Sequence, residues 1–283
     1  MLLPDLETLR AAQPALWAIA AGLIGLCVGS FLNVCAHRLP KGESVVSPGS
    51  RCACGEPVPA WLNLPLLGWL MLRGRARCCG ARLSLRYPLL ELAGGLSLAA
   101  AWYLLPADRA LAASVLLPLL LLLAACDLDS MTVPDAPNFL LVLSGLAFSA
   151  ALPSLHGIEP HRIPLADHLA GLGEGLMGVA VGTAITWWVR TIGSVWKGKE
   201  AMGEADILLV AGIGAFGGWQ GALFCFFAGS VIGLVLVLPR LILARFRGSQ
   251  GPEVVPFVPA LALAGALWFF HGPALVDLWL GRA

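Results

Sequence analysis

Apolar residues fall along this chain in long blocks separated by polar connections. A helix needs about 20 mostly apolar residues to cross a bilayer. Eight blocks meet or approach that length, at roughly 15–37, 88–105, 109–126, 137–153, 171–190, 205–218, 221–239 and 256–272. The sixth is short and glycine-rich. The pattern predicts an all-α integral membrane protein of about eight transmembrane helices. One connection, 38–87, carries Pro, Gly, four cysteines and eight basic residues, and reads as a small cytoplasmic insert. The expected division is 1–37 (outer N-terminus and first span), 38–87 (cysteine-containing subdomain) and 88–283 (multi-span domain).

Charge asymmetry sets the expected orientation, because Lys and Arg concentrate in cytoplasmic connections. The connections 38–87, 127–136, 191–204 and 240–255, taken with Arg190, hold 14 of the 18 Lys and Arg. The other side holds Arg10, Arg109, Arg162 and Arg282. The first set is therefore expected in the cytoplasm, with both termini outside. Composition agrees. The chain is 58% hydrophobic and 12% charged, with a mean hydropathy of +0.83. A soluble domain carries about twice that charge. Membrane lipid is thus the expected surrounding, and a net charge of +1 points to no nucleic-acid partner. Nothing reads as a cleaved signal peptide: the first block follows an acidic leader, MLLPDLETLR, and is long enough to span.

The segment AACDLDSMTVPD (124–135) ends an apolar block with Asp127, Asp129 and Asp135. Asp135 suits the N-cap of the next span, with Pro137 in its first turn. A second acidic pair, Glu204 and Asp206, opens the sixth block in KEAMGEADILLV. The expected topology puts both groups on the cytoplasmic face. They read either as interfacial helix ends or as a dyad. In the dyad, Asp127 and Asp206 share a proton; one is general base on a water and the other general acid toward a peptide bond.

The insert brings together Cys52, Cys54, Cys78 and Cys79. Disulfides do not persist in a reducing cytoplasm. Four thiolates around zinc would staple a subdomain with little core, although C-x-C and C-C depart from the usual C-x-x-C. Partly buried or idle thiols are the alternative. Cys27, Cys35, Cys126 and Cys225 lie in or at spans and are expected to pack. His156, His161 and His168 lack ligand-like spacing and read as polar residues of an outer loop.

Four stretches, in order, resemble the type IV prepilin peptidase family. GLCVGSFLNVCAHRLP (25–40) resembles its first-span signature. SRCACGEPVPAWLNLPLLGWLMLRGRARCCGARLSLRYPLLEL resembles its cysteine domain. DLDSMTVPD resembles its first aspartate motif and GKEAMGEADILL its second. The resemblance implies Asp127 and Asp206 as catalytic, with Asp129 and Asp135 supporting. It implies cleavage of a short basic leader after glycine, at the cytoplasmic face of the bacterial inner membrane. The substrates would be type IV prepilins or type II secretion pseudopilins. It also implies N-methylation of the new N-terminus from S-adenosylmethionine. Two positions depart from the pattern: the glycine before the second aspartate is Ala205, and the lysine after it is Leu208. They motivate an alternative, a catalytically inactive paralogue that binds pilins or assists assembly. A proton-coupled transporter is a weaker reading, because these carboxylates sit at the interface and not at mid-bilayer.

Overall fold

The computed structural model describes residues 2–161, 163–246, 255–279 and 281. Among these the chain is helical, with short 3-10 turns and two isolated β-bridges. Helices α1 (Leu2–Ala12), α2 (Pro14–Arg38), α3 (Leu67–Met71), α4 (Arg86–Leu104) and α5 (Ala107–Ser130) belong to one compact unit, Met1–Thr132. Helices α6 (Asp135–Ala151), α7 (Pro164–Lys197), α8 (Glu204–Phe246) and α9 (Val258–Trp279) belong to a second, Val133–Ala283.

Among the described residues, four helical segments are long and apolar enough to cross a membrane: Pro14–Lys41, Ala107–Ser130, Pro164–Lys197 and Glu204–Pro239. Asp135–Ala151 and Val258–Gly272 are shorter apolar helices. Their outward side chains are apolar, among them Leu16, Ile19, Leu23 and Phe31 on α2. That suits hydrocarbon, where every backbone polar group must be paired within the protein. Trp187, Trp188 and Trp196 are exposed toward the end of α7, as in the aromatic belts at membrane–water boundaries. The expected separation of 205–218 from 221–239 holds: α8 is two helices that meet at Gly218, whose φ of 69° and ψ of −174° are not helical. The break leaves carbonyls that other helices satisfy. The Ser149 hydroxyl donates to Ala215 O at 2.6 Å, and the Trp268 indole N–H donates to Gly217 O at 3.1 Å.

Glycines set the helix separations within each unit. A Cβ at Gly25 or Gly29 of α2 would overlap the backbone of Gly94 or Glu91 of α4. In the second unit, Gly178 of α7 meets Gly214 of α8, and Gly171 meets the backbone at Ser149 of α6. Small residues let helix backbones touch, which matters in a bilayer because apolar burial does not separate one helix from the lipid around it. At one end of the first unit, α1 acts as a staple that the sequence did not reveal. The Ala107 N–H donates to Glu7 Oε2 at 2.7 Å, capping α5. Arg10 pairs with Glu7 at 2.6 Å, and its hydrogen bond holds the Glu7 carboxyl below its ordinary value. Trp17 stacks on Trp102 at 5.3 Å.

The start of α6 also differs from expectation. Pro134 (φ −65°, ψ 143°) occupies the N-cap, and Asp135 is the first helical residue. Proline's fixed φ suits the extended cap geometry, so the helix starts one residue earlier than expected. Asp135 is exposed and still faces the positive end of the helix dipole.

Two glycines of α7 give a matched test of this packing. Gly173 has open space around it, whereas a methyl on Gly178 would collide with backbone. We expect Gly173→Ala to raise stability by up to about 1 kcal/mol through helix propensity, and Gly178→Ala to lower it despite the same gain. Thermal unfolding in detergent measures both.

Candidate active site and thiol cluster

Asp127 lies in the last turn of α5. Just before it, Leu122, Ala125 and Cys126 pack against Leu32, Cys35 and Ala36 of α2. That contact fixes the rotation of α5. Asp127 turns inward at 7% exposure, while Leu128 faces out at 63%. Met131 then leaves the helix in the left-handed region (φ 51°), and its N–H donates to Asp127 O at 2.9 Å. Asp129 faces elsewhere and pairs with Arg86, the first residue of α4, at 2.5 Å. Around this pair, His37, Lys41, Arg86, Asp129, Ser130 and Thr132 line a cleft of about 410 Å³. Lys41 Nζ donates to His37 Nε2 there at 2.9 Å.

Asp206 is the third residue of α8 and is 6% exposed. Its Oδ2 accepts the Gly203 N–H at 3.2 Å, which closes the first turn as the acidic member of a capping box does. Arg190 on α7 secures the preceding loop. It pairs with Glu204 at 3.0 Å and Glu200 at 3.1 Å, and donates to Met202 O at 3.1 Å. Glu204 is therefore an exposed ion-pair partner, unlike its neighbour Asp206. Ala205 lies inside the helix, where an L side chain is unstrained. The backbone argument for inactivity, drawn from the missing glycine, therefore lapses.

The four insert cysteines lie on two tight turns. One closes through the Gly55 N–H on Cys52 O (2.8 Å), the other through the Gly80 N–H on Ala76 O (2.9 Å). Both glycines have positive φ, 93° and 70°. The turns interlock crosswise, with Cys54 Sγ 3.3 Å from Cys78 Sγ and Cys52 Sγ 3.7 Å from Cys79 Sγ. All four sulfurs lie within 4.8 Å of one another. Tetrahedral zinc thiolates stand about 3.8 Å apart, so the donor set fits zinc despite its unusual spacing. The Cys54 backbone N–H and the neighbouring thiols lower Cys52 to about 7. Hydrogen bonding with Cys54 and Cys52 raises Cys78 to about 12.

Several other residues were partly or wholly missed. Glu91, 8% exposed, accepts the Leu66 N–H at 2.7 Å and ties the insert to α4 at a residue with φ 60°. A lone carboxylate within an apolar block was its signal in sequence. Asn33 Nδ2 bridges Gly29 O (3.3 Å) and Tyr87 O (3.2 Å). Cys35, Cys126 and Cys225 are buried as expected. Cys27 is exposed, a correction: it sits on the outward face of α2, where a thiol is compatible with lipid. The three histidines of the loop between α6 and α7 and its edge each find a partner: Ser149 for His156 (2.8 Å), Asp167 for His161 (2.9 Å) and Ala150 O for His168 (2.8 Å).

These features define a helical membrane protein with buried carboxylates at helix ends and a thiol-clustered insert. Residues 23–105 match the bacterial peptidase A24 N-terminal domain, and residues 114–238 match the type IV leader peptidase family. A Klebsiella pneumoniae relative named prepilin leader peptidase/N-methyltransferase is 40% identical over 77% of this chain and 92% of its own. Relatives of the same name from Pseudomonas putida and Myxococcus xanthus are 36% and 38% identical. Each aligns with 93% of this chain, and with 94% and 75% of its own length respectively. No solved structure matches. The chain belongs to the type IV leader peptidase family.

The thiol geometry makes a measurable prediction. Thiolates, not thiols, are alkylated. In metal-free protein titrated between about pH 5 and 9, Cys52 should alkylate half-maximally near pH 7, with less reaction below, while Cys78 stays protonated and silent. Mass mapping of iodoacetamide adducts reads this directly. Added zinc should protect all four cysteines.

Proposed function

We propose that this chain is an aspartic endopeptidase of the bacterial inner membrane that removes the short basic leader of type IV prepilins or type II secretion pseudopilins. Cleavage falls after glycine at the cytoplasmic face, and the new N-terminus is then methylated. The names of its relatives and the order of the four motifs support this reading. The observation that carries it is selective burial. Among the acidic residues of the two aspartate motifs, Asp127 and Asp206 are buried, at 7% and 6% exposure. Asp129, Asp135, Glu200 and Glu204 are exposed.

In the proposed reaction one of the two carboxylates is ionised and the other protonated, the state in which a carboxylate dyad works. The ionised member takes a proton from water, whose oxygen attacks the carbonyl carbon after glycine. The protonated member gives its proton to the departing nitrogen as the C–N bond breaks. A substrate helix anchored in the bilayer brings its leader to this boundary, and membrane anchoring does the work of orientation.

Two groups accompany this reading. Zinc on Cys52, Cys54, Cys78 and Cys79 would supply the insert with folding free energy that its small core lacks. S-adenosylmethionine is the methyl donor that the relatives' name suggests. Its amino-acid end carries a carboxylate and an ammonium. The cleft with Lys41, Arg86 and Asp129 offers complementary charges.

The test is cleavage of a prepilin with a Gly-Phe junction by purified protein, with the product N-terminus read by mass spectrometry. Asp127→Asn and Asp206→Asn should each insert normally and lose at least about 1,000-fold in rate. Normal cleavage by either variant would exclude the dyad. A product 14 mass units heavier, about one methylene, marks methyl transfer in the same assay.

A further inference from the structure

One buried side chain of α6 plays no part in the reaction above. Asn138 is 0% exposed, and neither its Oδ1 nor its Nδ2 has a hydrogen-bond partner among the described residues. A buried carboxamide with both halves unspent is destabilising, and an apolar side chain of similar size would remove that cost. Native proteins hold few such groups, and each calls for a reason.

The neighbours of Asn138 fix its height in the second unit. Leu141 packs on Gly212, and Gly145 on Ala215 and Phe216, so α6 and α8 run in the same direction. Asn138, three residues before Leu141, stands level with Leu209, about one helical turn from Asp206. α7 runs the opposite way, since Gly178 packs on Gly214 and Gly182 on Val210. One turn further along α7, Thr186 comes level with Asp206. Thr186 is also 0% exposed, but its Oγ1 already donates to Gly182 O at 2.6 Å. Two of the helices packed on α8, α6 and α7, thus bring a buried polar group to within about one turn of Asp206, and of these two groups only the Asn138 amide is wholly unspent among the described residues.

We infer that Asn138 is a substrate-binding residue of the Asp206 site, hydrogen-bonding a peptide group beside the scissile bond. A peptide unit presents one N–H and one C=O, the complement of a free Oδ1 and Nδ2. The inference rests on the reading of Asp206 as catalytic. It explains why an amide is kept where leucine would pack more favourably: the amide finds its partners when the leader peptide arrives.

The prepilin assay tests this with Asn138→Leu, Asn138→Ala and Asn138→Ser beside Asp206→Asn. Asn138→Leu should unfold at or above the wild-type temperature while kcat/KM falls by at least about tenfold. Asn138→Ser, which restores one polar group, should cleave faster than Asn138→Ala. A folded leucine variant cleaving within about twofold of wild type overturns the inference. If the leucine variant fails to insert, the other pair decides: a faster serine variant supports the role, and equal rates overturn it. Asp206→Asn separates the two levels. Loss of activity there with an unaffected Asn138→Leu removes the role of Asn138 alone, whereas normal cleavage by Asp206→Asn removes the aspartate reading beneath it.

Discussion

Contact between helix backbones at glycine is the constraint on which this structure depends. A bilayer offers little hydrophobic force to bring helices together, so close packing has to supply it. In the first unit the Gly25–Gly94 contact draws α2 and α4 together, and Gly29 lies on the backbone of Glu91. The same approach sets the position of Glu91, whose carboxylate then reaches the Leu66 N–H of the insert. In the second unit Gly178 and Gly182 seat α7 on α8, which puts Thr186 at the level of Asp206. A methyl group at these points would move the polar residues along with the helices.

Polar chemistry concentrates where helices begin and end. Asp127 occupies the last turn of α5 and Asp206 the first turn of α8. There a carboxylate can reach water without crossing hydrocarbon, and the terminal backbone groups need partners in any case. Asp206 closes its own helix start on the Gly203 N–H, so part of its orientation comes from local chain geometry. For Asp127, the packing of Cys126 and Ala125 against α2 sets which way the last turn of α5 faces.

The insert follows different physics. It is small, largely exposed and held by turns, with one carboxylate anchor at Glu91 and a stack of Arg77 over Trp61 at 5.6 Å. Its sulfurs meet because two glycines adopt positive φ and fold each cysteine pair back toward the other. An irregular spacing such as C-x-C can therefore still present four converging thiols, since the turns and not the spacing determine where they point.

Much of this was legible in the sequence. Long apolar blocks announced the helices, because a spanning helix requires nearly continuous apolar residues. Motif order pointed to Asp127, Asp206 and the four cysteines. Other features depended on relations the linear order does not carry. α8 reads as two blocks and is two helices, but the sequence did not show that they join at the single residue Gly218, with Ser149 and Trp268 taking up carbonyls at the break. Asp127 and Asp129 are two residues apart, and only the rotation of α5 against α2 decided which is buried and which meets Arg86. Asn138 looked like an ordinary residue in the first turn of a helix; that its amide finds no hydrogen-bond partner among the described residues emerged once α6 had packed on α8. The sequence determined which segments could be helices and which residues could do chemistry, since those depend on local composition. Tertiary packing decided which carboxylates and amides left water, because burial depends on what lies across the helix interface.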